Sequence, residues 1–182
     1  MVAIPPANDV SNDDNWELLQ VNAGPKPQRV IAAGGYFENP QGLLVVNGAI
    51  YVTDVATPDR NFGLGRVIRV AASTGDQRVV SQANYLVAPV GIAVDENGQL
   101  VVADPYTINP QSPDWYDGGI IRINPSTGKQ TLIARGHGGV VNPCGLAIVP
   151  TQIRGLRGFK PFLSSTESNL FSAVDLRARR RL

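Results

Sequence analysis

The sequence predicts an all-β chain of propeller type, with short antiparallel strands grouped into four-stranded blades that do not complete a ring. Three observations predict it. A Pro-x-Gly-aliphatic phrase recurs at Pro40, Pro89 and Pro143, at spacings of 49 and 54 residues. A second phrase recurs without a gap, "VIRVAASTGDQRVV" from Val67 and "IIRINPSTGKQTLI" from Ile120. Composition agrees. The 19 Gly and 14 Pro supply turns, and 17% charged residues leave little for long solvated helices.

In chain order, the first element is the end of a B strand. "VAIPPAND" from Val2 aligns with "VADPYTIN" from Val102, with Ile4 where the other copies have Asp54 and Asp104. Strands C and D follow over 17–34. A weaker copy of the second phrase, "LLQVNAGPKPQRVI" from Leu18, has Gly24-Pro25 near its turn and Gln28 at the place of Gln77 and Gln130. These make a partial blade over 1–34.

The second blade covers 40–84. Its A strand is the run Leu43–Val46, and Asn47-Gly48 turns the chain into a B strand that closes on Asp54. Asn-Gly between apolar runs is a strong hairpin signal, because both residues tolerate positive φ. Strands C and D flank Ser73-Thr74-Gly75, with Gly75 as the left-handed residue. The third blade, 89–136, repeats the plan with Asp95-Glu96-Asn97-Gly98, Asp104 and Ser126-Thr127-Gly128. A fourth begins at 143–150 with one A strand, 145–149. Val45, Ile50, Val52, Val67, Ile68, Val94, Leu100, Val102, Ile121 and Ile123 are predicted in strands and mostly buried between blades.

A four-stranded meander at a period near 50 residues is the sequence signature of a propeller blade. The strand count falls just under three blades, and rings typically close with about four to eight. The expectation is therefore a fragment of a longer propeller. The alternative is a homodimer that closes one six-bladed ring, in which the A strand at 145–149 completes the 1–34 blade of the partner. Without closure, those strands end as exposed edges that favour association.

Residues 151–182 form a non-repeat tail. They hold 7 Lys/Arg against 2 Asp/Glu, whereas residues 1–150 hold 9 against 13. A basic tail can touch nucleic acid or anionic lipid, but the plainer reading, a solvated end, is favoured. Leu170, Phe171 and Val174 at helical spacing, followed by Arg177, Arg179, Arg180 and Arg181, predict a short C-terminal helix. No basic patch with interleaved aromatics marks the blades, so nucleic acid is not expected as a partner. No apolar run of membrane-spanning length exists, and the N-terminus does not read as a secretory signal. Compartment stays undetermined. Cys144 is the only cysteine, so no internal disulfide can form.

The phrases "FENPQGL" at Phe37, "PVGIAVDENGQLVVAD" at Pro89 and "VNPCGLAI" at Val141 resemble the NHL repeat. They are also similar to blades of gluconolactonase-like, virginiamycin B lyase-like and strictosidine synthase-like propellers. The resemblance covers roughly residues 1–150. It implies the fold and not an activity, because propellers carry many functions on one scaffold.

Function is sought on the long loops. In an up-and-down blade the A–B and C–D turns share one face, and the B–C and D–A loops share the other. The B–C loops are the long ones, "VATPDRNFGLG" at 55–65 and "PYTINPQSPDWYDG" at 105–118, and long loops on a rigid scaffold carry function. Candidate ligand-binding residues there are Arg60, Phe62, Tyr106, Asp114, Trp115, Tyr116 and Asp117, with His137 on a D–A loop. Aromatics beside carboxylates suit a sugar, a peptide or a small organic ligand. Packing of Trp115 and Tyr116 onto their own blade explains them equally well.

Asp54 and Asp104 read first as braces for neighbouring backbone. They are weak candidates for a divalent, calcium-like cation in the channel. The ligating Glu, Asn and Asp pattern of gluconolactonase-like enzymes does not map residue by residue onto this chain. His137 is the only histidine and has no nucleophile motif beside it, which disfavours a zinc site or a triad. The favoured function is a ligand- or protein-binding propeller module. The alternative is a metal-dependent hydrolase or lyase of the gluconolactonase or virginiamycin B lyase type.

Overall fold

The structure, a computed structural model, describes residues 2–4, 16–22, 28–56, 64–107, 118–136, 140–148, 162–165 and 172–173. Among these residues the chain is a succession of four antiparallel meanders. The first contains β1 (Val2–Ile4), β2 (Glu17–Gln20) and β3 (Arg29–Ala33). The second contains β4 (Pro40–Val46), β5 (Ala49–Ala56), β6 (Leu64–Ala71) and β7 (Gln77–Gln82). The third contains β8 (Gly91–Val94), β9 (Leu100–Asp104), β10 (Gly119–Ile123) and β11 (Gln130–Arg135). The fourth contains β12 (Pro143–Ala147), β13 (Phe162–Ser165) and β14 (Ser172–Ala173). No helix among the described residues is long and apolar enough to cross a membrane.

Local turn chemistry sets the strand boundaries. Asn47 and Gly48 have φ of 49° and 72°, the two left-handed residues that a two-residue hairpin requires. Gly75 and Gly128 have φ of 81° and 73°. In the third blade Asp95 holds the A–B turn, its Oδ1 accepting the N–H groups of Asn97 and Gln99, each at 2.9 Å.

Register supports the alignment of the first blade. Val2 pairs with Leu19, as Val52 pairs with Ile68 and Val102 with Ile121. β1 therefore holds the B position, and the first meander is a blade whose described strands are B, C and D.

The core lies between blades. Leu18, Ile31, Phe37, Ile50, Val52, Ile68 and Val70 pack between the first and second meanders. Tyr51, Val67, Leu86, Ile92, Leu100, Val102, Ile121 and Ile123 pack between the second and third. Val101, Ala103, Ile120 and Val140, with Leu146, pack between the third and fourth. Consecutive residues of β5 and β9 thus serve opposite interfaces. Both faces of these strands are buried, which is why they read as unbroken apolar runs instead of alternating ones. Innermost strands also meet, with β4 against β8 and β8 against β12.

Three expectations change. First, strands continue beyond the single A strand expected over 145–149. β13 pairs along β12, with Leu146 opposite Leu163, and β14 pairs with β13. Second, Ser172–Ala173 is a strand where a short helix was expected. An open sheet edge offers hydrogen-bond partners that outweigh a weak helical pattern. The arginines from 177 to 181 lie outside the described residues.

Third, the outward edge of β12 is taken by β13 of the same chain. The homodimer junction drawn from the sequence, with this A strand donated to the partner, does not match that pairing. The ten residues predicted in strands and mostly buried all lie in strands and eight are buried; Val45 is 52% exposed and Val94 is half-buried. Val45 pairs with Ile50, whose side chain packs towards the first blade. No A strand is described in that blade to cover it.

Candidate functional site

The alternation of the meander puts the B–C loops and the D–A loops on one face. What fixes that face is a set of buried polar braces. Asp104 ends β9 with no exposed surface. Its carboxylate accepts the N–H groups of Val87 at 2.7 Å, Ala88 at 3.0 Å and Tyr106 at 2.8 Å. The first two belong to the D–A loop entering the third blade, and the last to the B–C loop leaving β9. One side chain therefore ties both loops together. Burial pushes its carboxyl up to about 6, and the three N–H groups pull in the opposite direction.

Asp54 braces the D–A loop entering the second blade. It accepts from the N–H groups of Glu38 at 3.0 Å and Asn39 at 3.1 Å. Arg66 completes its environment, with Nε 3.1 Å from Asp54 Oδ1 and a second nitrogen 2.8 Å from Glu38 Oε1. Arg66 also donates to the Tyr36 carbonyl. Burial raises the Asp54 carboxyl above its ordinary value, while the loop N–H groups and the guanidinium oppose that rise. Both aspartates are backbone braces in this geometry, and a cation would have to displace their donors. Among the described residues no group of three or more His, Cys, Asp or Glu could hold a metal ion.

A second set of contacts crosses from blade to blade. Gln77, at the start of β7, donates to the Gly34 carbonyl at 3.0 Å and accepts the Tyr36 N–H at 2.9 Å. Gln130, at the start of β11, donates to the Ala83 carbonyl at 3.0 Å and accepts the Tyr85 N–H at 3.0 Å. The two loops are equivalent. Gly34 and Gly35 have φ of 56° and 68°, and Ala83 and Asn84 each have 54°. Each loop then carries a tyrosine, Tyr36 or Tyr85, and a buried anchor, Phe37 or Leu86. Thr53 adds another link, its hydroxyl accepting the Gly42 N–H and donating to the Val90 carbonyl at 2.9 Å.

Among the described residues of this braced face, Tyr36 (46% exposed), Tyr106 (38%) and Val141 supply exposed apolar surface. Of the residues singled out from the sequence, Tyr106 sits where expected, at the root of the long B–C loop and tied to Asp104. Arg60, Phe62, Asp114, Trp115, Tyr116, Asp117 and His137 lie outside the described residues. Tyr36, Arg66, Gln77 and Gln130, which shape this face, are not among the residues singled out from the sequence. The recurrence of Tyr and Gln at blade spacing was the available signal.

No family model and no curated protein matches this sequence. Solved structures do. The chain is similar to a chain in the crystal structure of a nidogen/laminin complex, with a TM-score of 0.63 and 19% identity over 91% of this chain and 53% of that one. It thus spans about half the length of the solved chain. The likeness, with the successive antiparallel meanders, shows an all-β propeller fold in an incomplete ring.

Proposed function

We propose that this chain belongs to a protein-binding propeller module that engages its partner through the B–C and D–A loop face. The observation that carries the reading is the exposure of Tyr36 and Tyr106 on loops held by fully buried carboxylates. Exposed aromatics on a preorganised frame are the usual anchors of protein interfaces, because little entropy is lost when they are covered. The structural neighbour comes from a complex of two proteins, which supports a protein partner over a small ligand. The Pro-x-Gly phrases support a finer placement among NHL-like propellers.

Photo-crosslinkers installed at Tyr36 or Tyr106, and separately at Ser73 and Ser126 on the opposite turns, test the face. Partners captured only from the tyrosine positions are expected. Rebinding of that partner in purified form should weaken at least tenfold in Tyr36→Ser/Tyr106→Ser without a change in melting temperature. Equal capture from both faces would overturn the reading.

A further inference from the structure

We infer a binding site on the turn side of the second blade, away from the loop face: Arg69 and Arg78 form a seat for a small dianionic oxyanion of the phosphate class. The ladder places the two residues together. Arg69 on β6 and Arg78 on β7 are Cα partners in an antiparallel pair. Their side chains therefore leave the same face of the sheet, with Cβ atoms roughly 5 Å apart. Tyr51, opposite Arg69 on β5, belongs to the core between the second and third blades, so the pair faces that seam. Arg69 is half-buried and Arg78 is exposed, at the end of the ladder beside the Ser73-Thr74-Gly75 turn.

The third blade shows the same framework in a neutral form. Arg122 corresponds to Arg69 in the aligned phrases, and its Nε lies 3.1 Å from Asp95 Oδ2. Asp95 follows Val94, which pairs with Leu100 as Val45 pairs with Ile50. The second blade therefore has Val46 at the place of Asp95, an apolar residue packed on the core. Across the ladder Arg122 faces Thr131, where Arg69 faces Arg78. The second blade thus replaces the acid with an apolar residue and the neutral partner with a second base. Asp76, close by in sequence, accepts the Thr74 hydroxyl within its own turn. Like charges placed directly opposite are unfavourable, and an anion between them offsets that cost. A carboxylate would balance one charge only. A dianion balances both, and its tetrahedral oxygens accept from two planar guanidinium forks at once.

Isothermal titration calorimetry of the full chain with inorganic phosphate tests this, at pH 8 and at an ionic strength held constant with sodium chloride. Saturable binding is expected, and acetate should bind at least tenfold more weakly. Phenyl phosphate, run alongside, separates the two sources of the group. Tighter binding of the ester assigns the site to a phosphorylated small molecule, and tighter binding of inorganic phosphate assigns it to the free ion. Arg78→Thr, which copies the third blade, should weaken phosphate binding at least tenfold. Without phosphate it should melt no lower than the parent, because the like-charge pair is gone. Arg78→Lys keeps the charge without the fork and should recover only part of the affinity. No saturable heat with phosphate, equal binding of acetate, undiminished binding by Arg78→Thr, or an Arg78→Thr chain that melts below the parent would each overturn the proposal.

Discussion

Gln130 holds the loop of the preceding blade from both sides of one side chain, accepting the Tyr85 N–H and donating to the Ala83 carbonyl, each at 3.0 Å. It also donates to the Ser81 hydroxyl at 2.9 Å. These contacts stabilise two consecutive left-handed residues, Ala83 and Asn84, that an unsupported loop would avoid. Gln130→Ala leaves the loop N–H and carbonyl without their partner. A loss of about 1–3 kcal/mol is expected, read as a lower urea midpoint. Gln130→Glu keeps the acceptor and removes the donor, so it should recover only part of the loss. A variant as stable as the parent would show that the clasp is incidental.

Two glycines separate backbone strain from blade packing. Gly98 and Gly128 share a φ of 73°. A Cβ at Gly98 meets nothing within 4 Å, whereas one at Gly128 lies 2.4 Å from the Val80 carbonyl oxygen of the preceding blade. Gly98→Ala should cost about 1 kcal/mol, the conformational term alone. Gly128→Ala adds a backbone collision and should cost at least about 2 kcal/mol more. Thermal unfolding of the two variants compares them, and equal losses would contradict the close approach of the turn to β7.

Asp104 makes stability depend on pH. Its carboxyl is raised from 3.8 to about 6 by burial. The folded chain therefore holds a proton there that the unfolded chain has released. The stabilising contribution is fully present below about pH 4 and is lost as pH rises through about 6. Two pH units of separation correspond to about 3 kcal/mol. Asp104→Asn removes this dependence but turns an amide N–H towards N–H donors, so it should be less stable than the parent at pH 4. That deficit should narrow by pH 7. Denaturant titrations from pH 4 to 7 check the sign, and a deficit that widens with pH would refute it.

The blades were legible because their turns need particular residues. Asn47-Gly48, Gly75 and Gly128 report positive φ directly, and Pro-x-Gly reports a place where two strands touch. Asp54 and Asp104 were legible as braces, since a carboxylate at a strand end needs donors. β13 and β14 were not legible. Phe162–Ser165 carries no turn signal or alternation of its own, and its pairing is set by the edge of β12. The exposure of Val45 was also hidden, because an apolar residue in an apolar run gives no sign of whether the neighbouring strand is present. The clasps formed by Gln77 and Gln130 were visible as an alignment but had no assigned role, since their partners lie in the blade before.

The two-sided burial of β5 and β9 bears on how substitutions combine. Tyr51 and Val52 are adjacent in the chain but belong to different interfaces, as do Val101 and Val102. Val67 and Val102 are far apart in sequence and share one. Energetic coupling should therefore skip the adjacent residue and reappear in the neighbouring blade. A double-mutant cycle on Val101 and Val102 should come out near additive, while one on Val67 and Val102 should not. The repeat of the sequence is thus not the unit of packing. Each repeat is constrained half by the one before it and half by the one after.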